Sequence, residues 1–381
     1  MKILHTADWH LGKIVNNIYM TSDQEYILDQ FIDTVKKEKP DVIVIAGDLY
    51  DRSIPPKQAV ELLNDTLTTL INDLQLPVLA ITGNHDSPDR LDFGSKLFRK
   101  QNLYLETKLS LEPVTFHDEE GPVHFHLIPY VEPAEVAYVF NDDSIKSHQQ
   151  ASRRLIQHIE DHYDMNERHV WVGHSFIAGG MESESEERLS MIGGTPYVDA
   201  ELFRNFSYVA LGHLHQAQKI KQENIRYSGS ILKYSFSEAN HNKSITIAQL
   251  SREHCDIEKI PLVPERDFEI IEGYFSDLLD GASAANPENY LHVRLLDDGT
   301  ILDPMGKLRK VYPNILHLER AALSPMNQHE HLDQLKSRQR LDPVDLFTDF
   351  YKEIKQDELP EKRKHLIESA IEELRLQERG K

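Results

Sequence analysis

The chain has 381 residues, with 42 Lys and Arg against 63 Asp and Glu, for a formal net charge of -21 at pH 7. That length predicts two or three compact units, and the acidity excludes a protein that grips a polyanion through overall positive charge. No apolar run reaches the ~18 to 20 residues of a membrane span, and the start of the chain does not read as a secretory leader. The single cysteine, Cys255, excludes an internal disulfide and a thiolate metal cluster. These features predict a reducing, cytoplasmic setting, with any metal held by oxygen and imidazole. A polyanionic substrate would need bound divalent ions, a local basic patch or a partner chain.

Residues 2–6 and 42–46 read as buried strands. Between them Ser22 and Glu25 have the spacing of a capping box, and Ile27, Leu28, Phe31, Ile32 and Val35 fall at helical spacing, which makes a βαβ unit. Val60, Leu63, Leu67, Leu70, Ile71 and Leu74 form a second helical stripe, closed by Pro77 and followed by a strand over 78–81. A helix around 152–162 and strands at 169–172 and 208–211 come next. The alternation predicts an α/β architecture with strands packed between layers.

Beyond Pro261 and Pro264 this rhythm stops, so residues 1–265 are assigned to one domain and 266–320 to a small α+β unit. Residues 321–342, rich in Gln, His, Ser, Lys and Arg, read as a linker. Residues 343–381 read as a helical hairpin whose two helices open on Pro343 and Pro360, each with an apolar face. So short a hairpin has little core of its own; it docks on a partner or folds back onto the body. The acidic run from Glu182 to Glu187 reads as a solvated loop.

Five apolar runs end alike, in a small residue followed by a possible ligand: "ILHTADWH", "VIVIAGD", "LAITGNHD", "VWVGH" and "VALGHLH". In α/β sheets functional groups gather outside the carboxyl ends of strands. The five ends are therefore expected to bring together Asp8, His10, Asp48, Asn84, His174, His213 and His215. Glycines before Asp48, Asn84, His174 and His213 free the backbone to turn there. Asp8 with His10, and His213 with His215, share a side if the backbone is extended. Seven donors without thiolate exceed the needs of one tetrahedral zinc; two ions such as manganese or iron, sharing a carboxylate, fit better. After the third run, Asn84, His85 and Asp86 can each bind metal, move a proton or cap a turn. His5 and His169 lack such a context and are read as structural.

The segments "DWH", "GDLYD", "GNHD", "GHS" and "GHLH", in this order, resemble the five motifs of the calcineurin-like metallophosphoesterases. The longer stretches "HTADWHLGK", "GDLYDRSIPP", "YVALGHLHQAQ" and "YSGSILKYSFSE" are similar to its bacterial nuclease branch, which acts in DNA repair and recombination. The resemblance implies a layered fold of β-sheets sandwiched by helices. It implies one ion on Asp8, His10, Asp48 and His215, and a second on Asp48, Asn84, His174 and His213, most readily manganese, with iron or magnesium as alternatives. A water activated by the ion pair would attack the phosphodiester while His85 assists the leaving oxygen or the transition state. Asp51 is expected to orient His85, with Asp86 as the other candidate; Arg52 and Arg90 either touch phosphate or form plain ion pairs.

The same resemblance implies double-strand exonuclease action and endonuclease action on hairpins or blocked ends. It assigns DNA-end capping to 266–320 and docking on a coiled-coil ATPase to 343–381, in an assembly of two nuclease and two ATPase subunits built on a homodimer. "HLGKIV" is not a phosphate-binding loop, so any ATP dependence comes from that partner. The alternative is a small-molecule phosphomonoesterase or cyclic-nucleotide phosphodiesterase, against which the extension after residue 265 argues. A scaffold that had lost the chemistry would have lost donors, and all seven are present beside His85.

Overall fold

The computed structural model describes residues 1–186, 197–281, 283–299 and 301–320, together with 351, 359–360 and 363–366. The expected linker at 321–342 lies outside the described residues, as does nearly all of the expected helical hairpin at 343–381.

The runs Lys2–Thr6, Val42–Ala46 and Val78–Ile81 are buried almost throughout, as central parallel strands require. They lie in a six-stranded sheet ordered Cys255–Pro261, Ser244–Leu250, Lys2–Thr6, Val42–Ala46, Val78–Ile81, Leu103–Glu106, in which the last four strands are parallel. A second six-stranded sheet has the order Gln218–Ile220, Gln222–Tyr227, Tyr208–Gly212, Arg168–His174, Gly121–Ile128, Val114–Asp118. The two sheets meet face to face, where Val42, Val44, Leu79 and Ile81 pack with Val123, Phe125, Val170, Val172 and Ala210. Helices cover the outer faces. Thr21–Glu38 lays Ile27, Leu28, Phe31 and Val35 on the first sheet, and His148–His162 lays Leu155, Ile156 and Ile159 on the second. The result is helix, sheet, sheet, helix, with the carboxyl ends of the central parallel strands opening at one rim.

The expected capping box is not made. The first helix begins at Thr21, which puts Ser22 inside its first turn rather than at the N-cap, and the N-cap residue Met20 has no side-chain bond. Ser22 and Glu25 face solvent, while Asp23 and Gln24 point inward. The second stripe forms the helix Lys57–Thr68 and continues as a π-helical turn over Thr69–Asp73 before Pro77.

Residues 268–320 form three parallel strands, Phe268–Gly273, Tyr290–Leu295 and Ile315–Arg320, with short helices Phe275–Leu278 and Pro304–Leu308. Their own core contains Ile271, Leu291, Val293, Leu295, Leu308 and Tyr312. Buried Asp23 ties this unit to the body by accepting from Arg266 Nε at 3.0 Å and from the Tyr290 hydroxyl at 2.9 Å. No helix among the described residues is long and apolar enough to cross a membrane.

Candidate metal centre

The loops after the first two parallel strands interlock. Asp8 N donates to the Gly47 carbonyl at 3.1 Å and His10 N to the Asp48 carbonyl at 2.9 Å. Asp8, His10 and Asp48 have φ of 53°, 45° and 51°, so the Asp8–His10 pair shares the site through left-handed turns held by cross-loop bonds, not through the extended backbone expected. His213, at φ 106°, departs from extended geometry as well. Among the glycines that precede donors, Gly47 alone has positive φ. Gly83 and Gly212 are needed for room instead. A Cβ on Gly83 would meet the Asp48 backbone nitrogen at 2.5 Å and its carboxylate, and one on Gly212 would collide with the Ala46 carbonyl.

All seven expected donors come together. Asp8, His10, Asp48, His174, His213 and His215 are buried, and Asn84 is half-buried. Asp48 Oδ2 lies between the two halves of the cluster, 3.5 Å from His10 Nε2 and 3.4 Å from His174 Nε2. On one side His10 Nε2 faces His215 Nε2 at 3.1 Å. On the other, His174 Nε2 faces Asn84 Oδ1 at 3.1 Å, and the His213 ring lies 5.4 Å from the His174 ring. Asp8 Oδ1 accepts from His213 N at 2.9 Å, while Asp8 Oδ2 and His10 Nδ1 are buried without a hydrogen-bond partner among the described residues.

The donor atoms fit cations. The Ala46 carbonyl only accepts, so His174 Nδ1, 2.9 Å away, carries a proton and a neutral ring leaves Nε2 as an acceptor. That acceptor is aimed at two more, Asn84 Oδ1 and Asp48 Oδ2, an arrangement that needs positive charge among them. Burial lowers an imidazole, but here Asp48, by charge and hydrogen bond, together with Asp8 pushes His174 up to about 9. His213 goes the other way, down to about 3, through burial and the neighbouring His174. Burial and the charge of Asp48 raise the Asp8 carboxyl, against the pull of His174. Asp48 is held well below the usual carboxylate range, despite burial, by His174, His10 and His85. Two carboxylates, an amide oxygen and four imidazoles suit borderline and harder divalent ions.

His85 stands at the half-buried mouth of this cluster, its ring 4.7 Å from that of His10. Its backbone N donates to Asp48 Oδ1 at 3.0 Å, and its Nδ1 donates to the backbone carbonyl of Asp51 at 2.8 Å. The Asp51 contact is therefore made by the main chain. The Asp51 carboxylate, expected to hold His85, accepts from Lys13 Nζ at 2.7 Å and lies 3.8 Å from His10 Nδ1. Asp86 caps the loops: its carboxylate accepts from the backbone N of Leu49, Tyr50 and Gly83 at 3.1, 2.9 and 2.9 Å. Arg52 is exposed and pairs with Asp51 at 3.7 Å, and Arg90 lines a hollow with Leu49, Tyr50 and Phe93.

Sequence reasoning does not single out several supporting residues. Glu238, fully buried, accepts from His215 Nδ1 at 3.3 Å and is paired with buried Lys243, which also donates to the His215 carbonyl at 2.8 Å. A carboxylate on one imidazole nitrogen fixes the tautomer and turns the other nitrogen to the site. Ser185 Oγ lies 2.8 Å from His215 Nδ1, and Glu186 accepts from His215 N at 2.6 Å, so this part of the expected solvated loop closes over the centre instead. Gln24 donates to the carbonyl of His10 at 2.7 Å and to Tyr234 OH at 3.0 Å. The one signal for these residues in the sequence is that Tyr234 and Glu238 lie within "YSGSILKYSFSE", a stretch that carries the resemblance but no motif with assigned chemistry.

Residues 1–217 match the calcineurin-like phosphoesterase family, and residues 264–355 match the type 5 capsule protein repressor C-terminal domain. The chain is 41% identical over 374 residues to the SbcD subunit of the nuclease SbcCD from Staphylococcus saprophyticus, covering 97% of this chain and 98% of the relative. It is 40% identical over 378 residues to the protein of the same name from Staphylococcus epidermidis, covering 98% and 99%. Among solved structures, a Thermus thermophilus protein aligns at 12% identity and TM-score 0.40, over 69% of this chain and 99% of that one. A dimetal phosphatase from Danio rerio aligns at 12% identity and TM-score 0.44, over 69% and 96%. With more than half of its length in the family match and nearly its whole length in the relatives, the chain belongs to the calcineurin-like phosphoesterases, in the family of the SbcD nuclease subunits.

Proposed function

We propose that this chain is the metal-dependent DNA nuclease subunit of an SbcCD-type complex, a phosphodiesterase acting on double-strand ends and on hairpin or blocked ends in repair and recombination. The observation that carries the reading is similarity over nearly the whole chain to proteins named as the SbcD subunit of the nuclease SbcCD, including the part after residue 265 that a small-molecule phosphomonoesterase does not need.

In this reading Asp8, His10, Asp48 and His215 hold one divalent ion, and Asp48, Asn84, His174 and His213 hold the other. Manganese suits the mixed oxygen and imidazole set, ahead of iron and magnesium. When bound, the ion pair supplies Lewis acidity to phosphate oxygens and lowers the pKa of water at the site. The bond from its Nδ1 to the Asp51 carbonyl directs His85 Nε2 to the scissile phosphate, where the protonated ring donates to the leaving oxygen or to a phosphate oxygen. Asp51 acts through that carbonyl and through its pair with Lys13. Residues 266–320 cap the site and select DNA ends, and 343–381, beyond a linker at 321–342, dock on the coiled-coil ATPase SbcC in an assembly of two copies of each subunit built on a homodimer. That partner brings ATP dependence and much of the positive surface a chain of charge -21 lacks. One cysteine is in keeping with a reducing cytoplasm.

The test strips the protein with chelator, restores manganese or magnesium, and compares end-labelled duplex DNA with a chromogenic phosphomonoester, with and without the ATPase. Manganese-restored degradation of the duplex is expected. Turnover of the phosphomonoester with the duplex left intact would overturn the reading.

A further inference from the structure

A second cluster of metal-type donors lies on the three-stranded sheet of the small unit, apart from the centre described above. His292 on Tyr290–Leu295 and His317 on Ile315–Arg320 are direct neighbours across two parallel strands, their rings 4.5 Å apart. Glu319 follows His317 by two residues and so shares its face; its Oε2 lies 3.2 Å from His292 Nε2. One nitrogen from each ring and one carboxylate oxygen all lie within 4.8 Å of one another.

Register makes this meeting possible. Leu291 pairs with Ile315, but His292 pairs with His317, so Leu316 is the extra residue of a bulge. In an unbroken ladder Leu316 would face His292, and His317 would be turned to the other side of the sheet. With the bulge, Leu316 packs against the core of the body and His317 stands beside His292 on the same side of the sheet. Phe236, its ring 5.3 Å from His292, walls one side with apolar surface.

From this geometry we infer that His292, His317 and Glu319 form a separate binding site for a divalent transition ion of the zinc class. Two imidazoles and one carboxylate are a three-ligand zinc set with an open fourth position. Tetrahedral bonds of ~2.1 Å place ligand atoms roughly 3.4 Å apart, which small side-chain rotations achieve from the present spacing. The ion bridges the middle strand to the last one, just before the chain continues beyond residue 320, and so fixes that strand in the sheet. Among the described residues, Arg294 Nε, 3.6 Å from Glu319 Oε2, is a competing cation, and at 43% exposure its side chain has solvent to move into.

The inference does not rest on the nuclease reading, and its test separates the two. The full-length Asp48→Asn chain, impaired at the main centre, is stripped with chelator, reloaded with Zn2+, desalted and assayed for zinc. Adding His317→Ala, at an exposed position, or Glu319→Gln is expected to remove one zinc per chain or to weaken its binding by about tenfold or more. Circular dichroism of the same samples confirms that the sheet is folded. Equal zinc content and affinity with and without His317→Ala would overturn the assignment.

Discussion

The two sheets contribute to the centre in different ways. The first sheet supplies both carboxylates, Asp8 and Asp48, from left-handed loops whose backbones bond to each other, and Asp86 caps the loop that carries Asp48. The second supplies His174, His213 and His215 from the ends of Arg168–His174 and Tyr208–Gly212 and just beyond, and His174 and His215 are turned by partners outside that sheet's strands, the Ala46 carbonyl and Glu238. Changes in the first set should therefore disturb loops as well as ligands. Changes to the partners of the second should loosen a ligand and leave the fold intact.

The largest effect is expected at the residue both halves share. Asp48→Asn should abolish nuclease activity and metal pairing together, measured by duplex degradation and metal content; full activity in that variant would break the shared-carboxylate assignment. His85→Gln should lower kcat by about 10²- to 10⁴-fold with metal content unchanged, and loss of the ions would make His85 a ligand instead. Glu238→Gln tests the supported imidazole. It should weaken metal binding by about 10- to 100-fold while circular dichroism stays native, and rescue by Glu238→Asp would assign the effect to the carboxylate rather than to volume. Ser22→Ala is the smallest. Because the serine caps nothing, urea unfolding should shift by no more than about 0.5 kcal/mol, and a loss near 1 kcal/mol would restore the capping box.

What the sequence made legible was periodic or local. The stripe Ile27, Leu28, Phe31 and Val35 marks a helix because four core contacts fall on one face, and the apolar runs ending in Asp48, Asn84 and His174 mark strand ends because buried parallel strands are continuously apolar. What it hid depends on partners far along the chain. Nothing local to Asp8 or His10 announces a left-handed backbone; bonds to Gly47 and Asp48 hold it. Glu238 and Ser185 gain their role only where the chain brings them to His215, 23 and 30 residues away. The glycines carry the same lesson. Their positions were readable, but the need at Gly83 and Gly212 is for space beside Asp48 and Ala46, which no single strand contains.

The claim that donors from both sheets make one two-ion centre is tested most directly by electron paramagnetic resonance of the manganese-loaded protein. A spin-coupled manganese pair is predicted in the wild-type chain, replaced by an uncoupled signal in Asp48→Asn. An uncoupled signal from the fully loaded wild-type protein would contradict the account.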